Sequence, residues 1–410
     1  MDNSSQEILI VGSGFSGLIA AITLKKSGIP VKIFEASRTP VDIGGSITMF
    51  PNSMKVLRLT GVADEVIKQG VTMEVAKFQN NLGRHLVNRS MGKKSIYGEP
   101  TITLKRSKLN KILLVKAQQL GIDIGYGKKV VNLSESDDEI TVEFEDAKMC
   151  IGKMVLGCDG INSVVRKYVL GKTILPEYTG LIYVGGFVYD QKLIKSLKLD
   201  INTQYISIGP TQFFAYSYVD NPLENKASIL WYSYLSQPNR FSKKELDALD
   251  DKKIIERALL EHKGWHEPIQ ELIKNTVEIC KSSISDIVEI DNWHKGKAIV
   301  IGDAAHALNP LSGQGAGTAM EDGFLIAKLI QRHNTNYELA FENLVKLRKK
   351  RTTLIARKAR KSSKQTTIKL NKHFVKLRNR AFAALTYLTP EKVLNKYFIY
   401  DVSNELNKIK

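Results

Sequence analysis

Ile8-Leu9-Ile10-Val11-Gly12-Ser13-Gly14-Phe15-Ser16-Gly17 decides the fold of this 410-residue chain. Four consecutive apolar residues read as a strand buried on both faces, and three glycines follow within six positions. Helical spacing then takes over at Leu18, Ile19, Ile22 and Leu24. At such a turn Gly12 permits the tight bend, Gly14 lets backbone approach a pyrophosphate, and Gly17 lets the helix lie close on the strand. The helix N-terminus faces the negative charge. A second strand, Val31-Lys32-Ile33-Phe34, ends in Glu35, about 20 residues on, where an acid can hydrogen-bond adenosine ribose hydroxyls. Glu rather than a basic residue favours a free ribose. The pattern indicates a dinucleotide site and does not separate NAD from FAD.

Two further glycine segments extend the pattern. Met154-Val155-Leu156-Gly157-Cys158-Asp159-Gly160 reads as strand and turn, with a helix following through Val164, Val165 and Arg166. Lys297-Ala298-Ile299-Val300-Ile301 is an apolar strand whose end carries Gly302-Asp303-Ala304-Ala305-His306. A carboxylate there emerges at the C-terminal strand edge, where open α/β sheets bind ligands. Pro310 and Ser312-Gly313-Gln314-Gly315-Ala316-Gly317 then lead into a helix expected from Thr318 to about Gln331. Gly-Asp after a strand also serves simply as a helix cap, and Gly-rich loops simply turn.

In this order and at these separations, the three segments resemble the FAD-dependent aromatic hydroxylase family, the single-component flavoprotein monooxygenases of the p-hydroxybenzoate and salicylate hydroxylase type. The resemblance implies FAD at Gly12, Gly14, Phe15, Ser16, Gly17 and Glu35. It implies that Asp303 hydrogen-bonds the ribityl chain. The helix after Gly313, Gly315, Ala316 and Gly317 would point its positive end at the flavin N1 and C2 carbonyl, where charge collects on reduction. Asp159 matches the family's Asp-Gly motif, which shapes the pyrophosphate region and is implicated in handling NAD(P)H. Gly44-Gly45-Ser46-Ile47 resembles the loop passing along the ring, before a helix beginning near Pro51. Arg38 and Arg106 match basic positions near the cofactor; ordinary surface charge is the other reading of both. Met49, Pro310 and Gly315 are the flavin-face candidates, and no residue is assigned as catalytic. His306 is read as a packing or hydrogen-bonding histidine, Ala307-Leu308-Asn309 as a less typical stretch near the substrate, and Arg166 as a solvated helix residue.

The fold class expected is α/β: a Rossmann-type FAD-binding domain with an inserted mixed or antiparallel β-sheet substrate domain and C-terminal helices. The length suits two domains with an appendage. Residues 1–75, 100–172 and 283–342 would form the FAD-binding domain. Residues 76–99 and 173–282 would form the substrate domain, and 343–410 a basic helical segment. Strands are expected at Leu181 to Tyr189, Gln204 to Ile208, Phe213 to Val219 and Ala227 to Tyr234. Alternating aromatics there imply a sheet with two unlike faces, one roofing the flavin. Tyr205, Phe213, Phe214, Tyr216, Trp231 and Tyr232 are candidates for an aromatic substrate wall, and each equally suits sheet packing.

Three cysteines, Cys150, Cys158 and Cys280, support neither a disulfide framework nor a metal site and suit a reducing, cytoplasmic setting. The apolar run Ile8 to Leu24 is interrupted by glycines and flanked by Asp2, Glu7, Lys25 and Lys26, which argues against a signal or membrane span. Of 60 Lys and Arg residues, 15 lie between Asn343 and Pro390 with no Asp or Glu among them, so the rest of the chain is nearly neutral. A long C-terminal helix bracing both domains accounts for this run. Peripheral contact with an anionic surface is the functional alternative. No nucleic-acid partner is expected, because the basic run lacks interleaved aromatics.

The activity implied is a monooxygenase that uses NADH or NADPH and O₂, working through a flavin C4a-hydroperoxide on an aromatic or polycyclic small molecule. A flavin-dependent halogenase is disfavoured, since no Trp-x-Trp-x-Ile-Pro signature occurs. A flavin reductase or dehydrogenase, and a non-catalytic flavin- or ligand-binding protein, stay open. The substrate, the donor and the oligomeric state are not legible.

Overall fold

The computed structural model describes residues 7–40, 44–223, 226–334, 336–366 and 371–409. Asp2, and Ile368 and Lys369 of the basic segment, lie outside them. Ile8–Val11 is central in a six-stranded sheet ordered His294–Lys295, Ala298–Val300, Met154–Gly157, Ile8–Val11, Val31–Glu35, Asp123–Tyr126. Every pairing in it is parallel except that of the edge strand His294–Lys295. Helices cover both faces of such a sheet, so all four residues of Ile8–Val11 are buried.

Helix Phe15–Lys26 is apolar all round and buried from Phe15 through Leu24, as expected of a helix with protein on every side. It packs against Gly315–His333, which begins two residues after Gly313 and runs longer than the sequence pattern indicated. A Cβ on Gly323 would lie 2.3 Å from the Ser16 carbonyl oxygen, so glycine permits the two helix backbones to touch. This crossing brings two helix N-termini from opposite ends of the chain to one edge of the sheet.

A seven-stranded, mostly antiparallel sheet is ordered Glu278–Asp286, Glu177–Val188, Ser228–Ser236, Phe213–Asp220, Thr203–Ile208, Val75–Asn80, His85–Ser90. Strand Glu278–Asp286 runs through the boundary drawn at 282/283. One face packs on helices Asp251–Glu261 and Ile269–Lys274 around Phe214, Tyr216, Trp231, Ile254 and Leu272. Period-two alternation turns Phe213, Tyr232 and Tyr234 to the other face. A separate three-stranded sheet is ordered Ser46–Met49, Thr101–Lys105, Val71–Met73.

Helices Tyr337–Thr366 and Lys372–Leu388 form the basic segment. Four of its arginines turn inward or pair with acids. Arg348 is fully buried against Glu321 and Asp322, and Arg351 binds Glu321. Arg357 pairs with Glu289, while Arg360 pairs with Asp286 and Glu177.

Candidate active site

Gly12 has φ +104°, and a Cβ there would lie 2.4 Å from the Cys158 carbonyl oxygen. Strand Ile8–Val11 and the Met154–Gly157 strand thus run into loops that touch, with the Cys158 N–H donating to the Val11 carbonyl at 2.8 Å. A Cβ on Gly17 would strike the Gly12 carbonyl at 2.1 Å, whereas a Cβ on Gly14 meets nothing closer than 4.0 Å. Gly12 and Gly17 are therefore required by packing. Gly14 presents bare backbone to open space, which is what a pyrophosphate needs. Phe15 and Ser16 are buried at the start of the helix. The Glu35 carboxylate accepts from the Ser13 amide at 2.9 Å and the Ser13 hydroxyl at 2.8 Å, placing it beside the glycine turn. Arg38 is exposed on the rim.

Asp159 accepts from the Ser163 hydroxyl at 2.5 Å and from the Val164 and Val165 amides at 2.7 and 3.1 Å. Burial pushes its pKa up against those hydrogen bonds. It binds the start of helix Val164–Leu170, so it organises the loop by capping. Arg166 departs from the solvated position expected: it is buried. Its guanidinium donates to the Ala304 carbonyl at 3.0 Å and the Ile161 carbonyl at 2.7 Å. Burial lowers its pKa. It ties the middle glycine segment to the Gly302-Asp303 segment.

Gly302 has φ +59°, and a Cβ would lie 2.8 Å from the Ser16 hydroxyl. Its N–H donates to Asp322 Oδ2 at 3.0 Å, and His306 Nε2 lies 2.5 Å from the same oxygen. His306 is buried, in the structural role expected. The turn projects the Asp303 carboxylate to solvent while protein crowds its flanks; burial raises its pKa and the nearby Arg106 opposes the rise. Arg106 lies with its guanidinium 5.0 Å from the Phe15 ring centroid, and its amide donates to the Gly45 carbonyl at 3.0 Å. Arg106, Phe15, Gly45 and Asp303 thus converge.

The loop Pro310–Ser312 and the start of Gly315–His333 close the groove. Gln314 supplies no side-chain cap, and the Gly315, Ala316 and Gly317 amides have no acceptor among the described residues. A helix start with free amides is a site for negative charge. Pro310 and Gly313 are exposed and Gly315 half-buried. Gly317 instead packs on Ser53, where a Cβ would lie 2.3 Å from the hydroxyl. Met49 is buried in the core below the groove, so it does not present a flavin face.

Facing these loops is the second sheet. The Tyr183 hydroxyl would be 2.7 Å from a Cβ on Gly45, and Leu311 packs with Tyr183, Phe213 and Tyr234. Tyr183 stacks near Tyr232 with centroids 5.8 Å apart, and Phe213 meets Tyr234 edge-on at 5.0 Å. Burial pushes the Tyr232 hydroxyl up to about 12 and Tyr183 and Tyr234 well above their ordinary value, so all three are neutral donors. Of the expected wall residues, Phe213 and Tyr232 lie here. Tyr205, Tyr216, Trp231 and Phe214 occupy the opposite face: Tyr205 stacks on Tyr216 at 5.0 Å and Trp231 on Phe214 at 5.1 Å. Tyr183 and Tyr234 are the members that the sequence reading missed. Alternation with Trp231 was the signal available for Tyr234.

Residues 5–336 match the model of the FAD binding domain family. Aurachin C monooxygenase/isomerase of Stigmatella aurantiaca is 30% identical over 79% of this chain and 80% of that protein. 6-Hydroxynicotinate 3-monooxygenase of Pseudomonas fluorescens is 28% identical over 83% of this chain and 86% of that protein. Among solved structures, Klebsiella pneumoniae HpxO complexed with FAD and uric acid superposes with a TM-score of 0.80 at 22% identity, covering 99% of both chains. That likeness shows the same fold. With the glycine turns, the exposed Asp303 and the free helix amides gathered at one sheet edge, the family match means that this chain is an FAD-binding oxidoreductase of the aromatic hydroxylase family.

Proposed function

We propose that this protein uses NAD(P)H and O₂ to insert one oxygen atom into a small, flat aromatic or polycyclic molecule. One observation carries the reading: the loop that leads to the free amides of Gly315, Ala316 and Gly317 packs, through Leu311, against an aromatic wall of Tyr183, Phe213 and Tyr234. Bound there, FAD supplies what side chains lack, accepting electrons from the nicotinamide and activating oxygen.

The residues present fit that cofactor. Gly14 leaves room for the pyrophosphate, Glu35 lies where ribose hydroxyls would replace Ser13, and Asp303 offers an acceptor to the ribityl chain. The Gly315–His333 N-terminus offsets negative charge on the reduced ring through backbone dipoles, with no cationic side chain required. Pro310 and Leu311 lie between this helix end and the wall and shield the ring edge from water.

The wall supports an uncharged ring as substrate. Its polar atoms are tyrosine hydroxyls and the Gln204 amide, which is 3.4 Å from the Tyr232 hydroxyl. At its edge Lys105 and Lys108 are paired with Asp220. Stacking orients a planar ring, and neutral hydroxyls hydrogen-bond its substituents. Two relatives are named as monooxygenases of aurachin C and of 6-hydroxynicotinate, which supports a small ring compound as the substrate class.

The test follows NAD(P)H oxidation and O₂ uptake by the purified yellow protein against a panel of neutral hydroxyarenes and N-heterocycles. Oxygen-18 from O₂ in the product supports the proposal. Turnover that depends on substrate but leaves no label would assign a dehydrogenase instead.

A further inference from the structure

We propose that helix Lys372–Leu388 seats this protein on the surface of an anionic lipid bilayer. Its inner side is fixed to the substrate domain. Phe382 meets the Phe78 ring edge-on at 5.0 Å, and Arg378 donates to the Gly209 carbonyl at 2.8 Å. Among the described residues, none covers the outer side. Phe374, Leu377, Leu385 and Leu388 are 58, 63, 66 and 75% exposed, and with Ala381 they recur at helical spacing as one stripe. Exposed leucines scattered singly are ordinary, but a continuous stripe is an interaction face. Beyond the helix, exposed Val393 and Ile399 extend the apolar surface.

Charge identifies the occupant. Lys376 and Arg380 are exposed beside the stripe, and Lys392 and Lys396 follow it. No acid occurs between Asn343 and Pro390. A helix with an apolar stripe and a basic flank lies in the plane of an anionic membrane, its leucines among the acyl chains and its cations at headgroup level. No helix among the described residues is long and apolar enough to cross a bilayer, and this one is 17 residues long, so the contact proposed is with the surface. A second copy of the chain would bring two basic runs together, and nucleic acid would leave the leucines uncovered. Bilayer contact satisfies both the stripe and the charge.

Co-sedimentation of the full-length holoprotein with lipid vesicles tests this without measuring activity, so it stands apart from the proposed reaction. One vesicle set is phosphatidylcholine alone; the other includes about one-third phosphatidylglycerol. Binding is expected to the anionic set, falling at high salt. The double variant Leu377→Asp, Leu385→Asp should abolish it. The double variant Lys376→Gln, Arg380→Gln should weaken it about thirtyfold. Both variants change exposed side chains, and unchanged circular dichroism and bound flavin would exclude unfolding. Failure to bind the anionic vesicles, or binding that survives the aspartates, overturns the proposal. So does a salt-insensitive dimer that the aspartates dissociate, which would assign the stripe to a second copy.

Discussion

His306 Nε2 lies 2.5 Å from Asp322 Oδ2, with both side chains buried, and this pair pins the turn from which Asp303 projects. Arg348 Nε binds the other Asp322 oxygen at 2.6 Å. Burial alone would raise the Asp322 pKa; His306 and Arg348 reverse that and hold it at about 2. A carboxyl depressed in the folded state stabilises above its unfolded value and loses that contribution as pH falls through the folded one. The window here runs from about 4 to about 2. Denaturant unfolding of the wild type should lose stability across it. Asp322→Asn should flatten that slope and cost about 3 kcal/mol at neutral pH, because the buried guanidinium keeps Glu321 but loses one of its two carboxylate partners, and His306 loses the same anion. An unchanged acid slope in the variant would place the acid sensitivity elsewhere.

Gly12 and Gly14 lie two residues apart and should fail differently. Gly12→Ala forces a Cβ onto the Cys158 carbonyl at a positive φ, so a large loss of thermal stability is expected whether or not flavin is present. Gly14→Ala finds open space in the protein and should fold normally. Its Cβ would occupy the approach to the pyrophosphate, and flavin fluorescence titration should show an FAD affinity at least about tenfold weaker. Wild-type affinity in Gly14→Ala would move the pyrophosphate away from this turn.

Tyr183 and Trp231 lie on opposite faces of one sheet, each within a cluster of rings. Tyr183→Ala should raise KM for the substrate and uncouple NAD(P)H oxidation from product formation, with a smaller loss of stability than at Trp231 because the Tyr183 ring is only partly buried. Trp231→Ala should instead cost about 3–5 kcal/mol of stability, as for a large ring removed from a packed core. Uncoupling by the Trp231 variant with its stability intact would reverse the assignment of the faces.

These faces also mark where the sequence stops being informative. The glycine turn, the Asp303 strand end and the alternating aromatic strands are local patterns, and the structure forms a turn, a strand end and a two-faced sheet there. Alternation divides Trp231 from Tyr232, yet nothing local says which face meets Gly45. That depends on Tyr183, 138 residues from the contact at Gly45 in the sense that only the folded chain supplies it. Arg166 and Arg348 read as solvated charge because their partners, the Ala304 carbonyl and the Glu321–Asp322 pair, are distant in sequence. Buried ion pairs across long separations leave no periodic trace.

Asp159 and Asp303 are both aspartates at strand ends next to a glycine, and the structure separates their duties. Asp159 accepts three hydrogen bonds from its own loop, so Asp159→Ala should cost about 1–2 kcal/mol of stability as a lost cap. The Asp303 carboxylate feels Arg106, His306 and Asp322 through charge and is open to solvent, so its removal leaves no protein donor stranded. Asp303→Ala should keep the wild-type Tm without cofactor and weaken FAD binding about tenfold to a hundredfold, the range for a hydrogen bond to a charged group. Calorimetry of the flavin-free protein and FAD titration read the two effects separately. An Asp303 variant that melts early yet binds FAD normally would make this aspartate a structural residue and leave the ribityl chain without its acceptor.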